Sequence, residues 1–414
     1  MMNRLLKALL TSLWFVVLCA PIMGIHINPD HSVTFRWHRL VGLAIGVFFA
    51  ALLWHWYYDR KALGEKIFSL PKHTTESFSR IFHNTTFRRT SLILIAAFMI
   101  CMPFLPVLGT GYQVSIMISG LIYVMLALGL NIIVGFAGQL VLGYAAFYGI
   151  GAYTYGLLHL YFGLGFWICL PIAGIITTIC GLGLAALGFL IGIPVLRLNG
   201  DYLAIVTLGF GEIVRLVLLN WTSVTGGSRG VSGIPRPEFF GVEMDLTQKT
   251  TYLYYLSLIA VTITIIVITR LKNSRVGMAL QAMREDEIPS EAMGINLTQV
   301  KLTAFALSSA WAGFAGVLFA AKTQFINPAS FTFMDSCMIL AMVVLGGMGS
   351  ILGVTIGALI LILVPEYLRA FSDYRMLLFG ATMVVMMLFR PQGIITGEKR
   401  HYRISALHNK EERA

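Results

Sequence analysis

The sequence predicts an all-α polytopic membrane protein with about ten to twelve membrane helices, some of them broken or re-entrant. Three observations carry this. Of the 414 residues, 57% are hydrophobic and only 12% are charged, against roughly 25% charged in an ordinary soluble domain. The apolar residues come in long continuous runs rather than in alternation, which argues against an outer-membrane barrel. The basic residues gather in the short segments between those runs. One crossing takes about 20 mainly apolar residues, so the apolar stock suffices for about ten or eleven. A soluble enzyme, a disordered chain and a secreted disulfide scaffold are excluded by the same numbers.

In chain order, the first run covers 5–25 and follows Arg4 and Lys7. It resembles a signal peptide, but it continues to Ile25 without a small-residue cleavage site, so it is expected to stay as a membrane helix. Runs at 40–57 and 90–109 complete an N-terminal extension, 1–110, whose loop from Asp59 to Arg89 is basic. Further runs fall near 113–134, 139–160, 166–196, 203–220, 251–270, 302–321, 334–365 and 374–390. The run at 166–196 is long for one crossing and is expected to be tilted or broken. The run at 334–365 is longer still, with Gly346, Gly347 and Gly349 in its middle. It predicts two short helices with a discontinuity near Gly346 to Ser350. Gly349, Gly353 and Gly357 recur every four residues and are expected on one helix face, where small residues let membrane helices approach closely. Gly188 and Gly192 repeat that spacing. A core, 111–395, thus follows the extension, and 396–414 is expected to be a cytoplasmic tail.

The charge pattern orients the chain. With the N-terminus in the cytoplasm, 21 of the 30 Lys and Arg fall in inside segments and 8 in outside segments, with Arg215 inside a span. This bias follows the positive-inside rule. The net charge of +11 therefore signals orientation and not nucleic acid, which would need a basic soluble face. Residues 322–333 and 366–373 both fall outside in this scheme. The stretch between them must cross an even number of times or dip in and return.

Catalytic signatures are missing. No GxxxxGK[ST] loop cradles phosphate, and no HExxH or Ser/His/Asp arrangement occurs. The five cysteines lie in or beside apolar runs without CxxC spacing, and the nine histidines form no HxxxH pair. No metal or cofactor is expected on this chain.

Three features remain. Glu212 and Arg215 sit three residues apart in an apolar span and can pair on one helix face; the pair is either a gate or pathway-lining group or a fixed interhelical ion pair. In 271–301, Val276, Leu280 and Met283 have helical spacing, followed by Arg284, Glu285, Asp286 and Glu287, then Glu291 and Gly294. This predicts a short amphipathic helix, a turn and a second short helix on the cytoplasmic side. It is either a solvated loop or a surface that docks into a partner. The Gly- and Pro-rich loop 224–237 is placed outside, as a partner contact or a plain connection.

Several stretches together resemble the LivM-type membrane subunit of bacterial branched-chain amino acid ABC importers. They are Asn131 to Gln139, Leu142 to Tyr153, Gly200 to Arg215, Thr225 to Gly227, Arg284 to Glu287, Leu345 to Ser350 and Arg390 to Gly393, in family order over about 111–395. Val141 departs from the family's usual serine. The resemblance implies a non-catalytic permease subunit of the bacterial inner membrane, multi-pass, working with a LivH-like second permease and two ABC ATPase subunits. ATP and magnesium would be bound by those ATPases. A periplasmic binding protein would deliver leucine, isoleucine or valine. Arg284, Glu285, Asp286, Glu287, Glu291 and Gly294 would form the ATPase-coupling loop. Independently of the resemblance, Gln139, Glu212 and Arg215 are candidates for the pathway or gate, and Gly346, Gly347, Gly349, Gly353 and Gly357 for helix breaks or packing. The alternative is a secondary carrier or channel working alone; a membrane-embedded enzyme is a third reading.

Overall fold

The computed structural model describes residues 111–190, 201–238 and 245–367, with 25–27, 33–35, 44, 48, 99–104, 380, 384 and 393–395. The chain divides into two compact units, 1–98 and 99–414. In the first, Ile25–Ile27 (β1) and Val33–Phe35 (β2) pair antiparallel between the first two apolar runs. The expected spans at 5–25, 40–57 and 374–390, the basic loop 59–89 and the tail 396–414 lie, but for those few positions, outside the described residues. So do Gly192 and the end of the run 166–196.

The second unit is built from Gly111–Asn131 (α1), Tyr144–Phe162 (α2), Phe166–Leu190 (α3), Asp201–Asn220 (α4), Leu246–Lys272 (α5), Arg275–Glu285 (α6), Glu287–Ala292 (α7), Leu297–Thr323 (α8), Phe333–Gly346 (α9) and Ile351–Tyr367 (α10). Two-residue strands Val231–Ser232 (β3) and Phe325–Ile326 (β4) pair antiparallel. Among the described residues six helices are long and apolar enough to cross a membrane. The expected ten to twelve includes runs that lie outside them.

The sequence of α1 explains its place. It carries no charged residue and is apolar all round, the pattern of a helix with no solvent face. It sits at the centre, packed by α5, α8, α9 and α10, and continues into a π-helical turn, Ile132–Phe136. Around it, helices close on glycine. A Cβ on Gly316 would lie 2.6 Å from the Ala152 nitrogen, and one on Gly313 would lie 2.9 Å from Thr177 Cγ2. The α8 backbone therefore approaches α2 and α3 directly, as small residues allow in a bilayer.

The run 334–365 is two helices. α9 ends at Gly346 and α10 starts at Ile351, with Gly347 and Gly349 at φ 109° and 84° between them. Only glycine adopts such angles without strain. Gly349 thus stands in the turn and not on the helix face expected from its spacing. Gly353 and Gly357 do face a helix: a Cβ on Gly357 would lie 2.8 Å from both the Gly346 nitrogen and the Met342 oxygen of α9. α10 returns toward the start of α1, where Tyr112 donates to Glu366. Lys322 donates to Ser119, seven residues further along α1 than Tyr112, so the end of α8 and the end of α10 lie toward the same end of the bundle, as the parity argument requires.

Two helices begin inside the bundle rather than at its ends, which the hydropathy pattern does not indicate. Tyr144, the first residue of α2, donates from its hydroxyl to the Ser308 carbonyl halfway along α8, at 3.1 Å. The Ala145 N–H donates to Ser336 Oγ near the start of α9, at 2.9 Å. The run 139–160 is thus a non-helical approach, 138–143, followed by a helix that starts in the interior. α9 covers its exposed N–H groups with a capping box between Thr332 and Asp335, satisfying donors that a helix start otherwise leaves open.

Candidate functional site

The candidate site lies at the end of the bundle where α5 hands over to α8. α5 ends on Arg270 and Lys272, cations that suit the negative end of a helix dipole. Ser274 then caps α6 by accepting from the Gly277 N–H at 3.2 Å. On α6, Leu280 and Met283 are buried. Val276, expected with them, is 39% exposed, and Gly277 takes the inner place because its backbone lies against the α5 terminus, with room for no Cβ beside the Lys272 carbonyl at 2.8 Å.

Asp286 ends α6 in extended conformation and caps α7, accepting from the Ile288 N–H at 3.1 Å. Gly294, at φ 86°, closes α7 with nothing packed where a side chain would stand. Glu287 turns inward and pairs with Lys301 of α8 at 2.9 Å, the lysine being 4% exposed. Arg284, Glu285, Asp286 and Glu291 reach the surface. Between them Ile288 and Met293 are 80% and 84% exposed, two large apolar side chains on an otherwise charged face.

A cleft of about 340 Å³ opens beside this face, lined by Gly138, Gln139, Leu203, Arg284, Asp286 and Ile288 among others. Gln139 is buried in its wall, and its Oε1 finds no hydrogen-bond partner among the described residues. Gln139 and the 284–287 segment therefore meet in one place. Glu212 and Arg215 do not join them. They pair on α4, Nε to Oε2 at 2.8 Å with both side chains about one-third exposed. There Glu212 borders a small gap at the interior junction with Gly143, Phe331 and Ser336.

The α9–α10 turn reaches the same end as the cleft. Arg284 Nη1 donates to the Gly135 carbonyl in the π-helical turn at 2.5 Å. The Gly349 N–H donates to Asn131 Oδ1 at 2.9 Å, and Lys272 Nζ donates to the Gly349 carbonyl at 3.1 Å. Ile394 and Ile395 donate their N–H groups to the carbonyls of Leu345 and Gly346. The sequence gives Lys272 and Lys301 no role, and Asn131 none beyond opening a family-like stretch. Asn131, an amide closing a run without charges, is the one signal that was there to find.

A family model described as the branched-chain amino acid transport system permease component matches residues 112–387. The high-affinity branched-chain amino acid transport system permease protein LivM of Salmonella typhimurium is 41% identical, over 98% of each chain. LivM of Escherichia coli is 42% identical over 94% of each. The Escherichia coli permease protein LivH is 27% identical over 67% of this chain and 92% of its own. No solved structure matches the chain.

Proposed function

We propose that this chain, which belongs to the branched-chain amino acid transport system permease family, is a membrane-spanning subunit of an ATP-driven importer that carries leucine, isoleucine or valine across a bacterial inner membrane. The observation that supports this best is the similarity to LivM along nearly the full length of both chains. Relatives named as LivM and LivH both align with this chain, so a second permease of the same fold is the natural partner in the bilayer. ATP and magnesium belong to two ATPase subunits, and a periplasmic binding protein delivers the amino acid.

The α6–α7 face is the proposed ATPase contact, and its end of the bundle faces the cytoplasm. Its exposed Ile288 and Met293 offer apolar anchors within a charged rim, the usual anatomy of a protein interface. ATP binding in the partners would favour one arrangement of this face over another, and the membrane helices would follow as a shift of population between access states. Glu212 and Arg215, paired on α4 and costly to leave in lipid, are assigned to the pathway side of that helix in this reading.

Reconstitution tests this. The chain, a LivH-like permease and both ATPases in proteoliposomes, with binding protein, should import leucine only when ATP is supplied. Leucine movement by the purified chain alone, driven by an ion gradient, would overturn the assignment.

A further inference from the structure

We propose that Arg284 is a positioning residue that couples the α6–α7 face to the turn between α9 and α10, so that movement of the face resets that turn. This rests on the reading of α6–α7 as the ATPase contact. The geometry that carries it is a four-way junction. The Arg284 stem lies against Gly138, where a Cβ would fall 2.7 Å from its Cγ. Its guanidinium reaches the Gly135 carbonyl. A Cβ on Gly349 would stand 3.2 Å from both Arg284 Nη1 and the Gly135 oxygen, so the cation, the π-helical turn and the glycine turn are in direct contact.

Gly349 is held on both sides by other elements: its N–H by Asn131 of α1, its carbonyl by Lys272 of α5. The turn is therefore tied to α1 and α5 through this junction. π-helical turns commonly mark functional positions because their hydrogen-bond register is already irregular. From the turn, α9 runs 14 residues, about 21 Å of rigid rod at 1.5 Å per residue. It ends at Ser336 and Thr332, beside the start of α2 and Glu212. A displacement at Gly349 is thereby delivered to the interior junction. Packed contact of this kind is a route for coupling.

The test uses the assembled transporter in proteoliposomes, reading leucine imported per ATP hydrolysed. Arg284→Ala should lower that ratio about ten-fold, within the usual range of coupling effects, and Arg284→Lys, which keeps one donor for the carbonyl, should recover most of it. Asn131→Leu frees the Gly349 N–H without touching α6 or α7. It should keep ATP hydrolysis near the unsubstituted level and lower the ratio too. An unchanged ratio in Arg284→Ala and Asn131→Leu would overturn the proposal. So would equal loss of import and hydrolysis in Arg284→Ala, or normal coupling in Asn131→Leu. If Arg284→Ala does not assemble, Arg284→Lys and Asn131→Leu decide. Failure of the unsubstituted complex to import leucine with ATP defeats the proposed function instead.

Discussion

Lys301 shows how one residue can serve fold and function together. Its ammonium is nearly buried, and Glu287 neutralises it at 2.9 Å. Breaking a buried ion pair from one side costs about 3–5 kcal/mol, because the remaining charge loses its counter-ion where water screens it poorly. Glu287 is partly exposed, so the low end applies. We expect Glu287→Gln to lower the melting temperature of the purified chain. A Glu287→Lys variant should fall further, and the exchange of both residues, Glu287→Lys with Lys301→Glu, should recover most of the loss. No recovery in the exchanged pair would show that the contact adds no stability. The sequence offered Glu287 as a docking residue but not its pairing, since Lys301 lies 14 residues on and the partnership depends on the reversal at Gly294.

At the scale of elements, legibility followed the kind of signal each helix carries. α6 and α7 were readable because a polar segment betrays its apolar spacing, although backbone crowding put Gly277 where Val276 was expected. The α9–α10 break was readable from Gly346, Gly347 and Gly349. The interior starts of α2 and α9 were not, because a run that is apolar throughout has no face to report, and Ala145 and Ser336 meet across 191 residues of chain. The docking reading itself makes a prediction here. Ile288→Asp together with Met293→Asp changes no buried contact, so the chain should insert and melt normally. If the two side chains act as the hot spot of the contact, their joint loss costs about 2 kcal/mol, roughly a 30-fold loss of affinity. Co-purification of the ATPase subunits should drop accordingly; undiminished co-purification would place their contact elsewhere.

For the molecule as a whole, the remaining question is which end faces the cytoplasm. The charge bias of 21 to 8 predicts that Arg284 lies inside, and the structure adds a ruler. Glu291 precedes the start of α8, whereas Ser228 neighbours β3, which pairs with β4 just beyond the end of α8. The two positions are separated by 27 residues of one helix, about 40 Å at 1.5 Å per residue, enough to cross the bilayer core. Both are exposed. In a chain with its native cysteines replaced, a membrane-impermeant maleimide applied to spheroplasts should label Ser228→Cys at once. Glu291→Cys should label only after the membrane is opened. The reverse pattern would turn the α6–α7 face away from cellular ATP. Neither the ATPase contact nor the role of Arg284 could then hold, however well the transported amino acid matched.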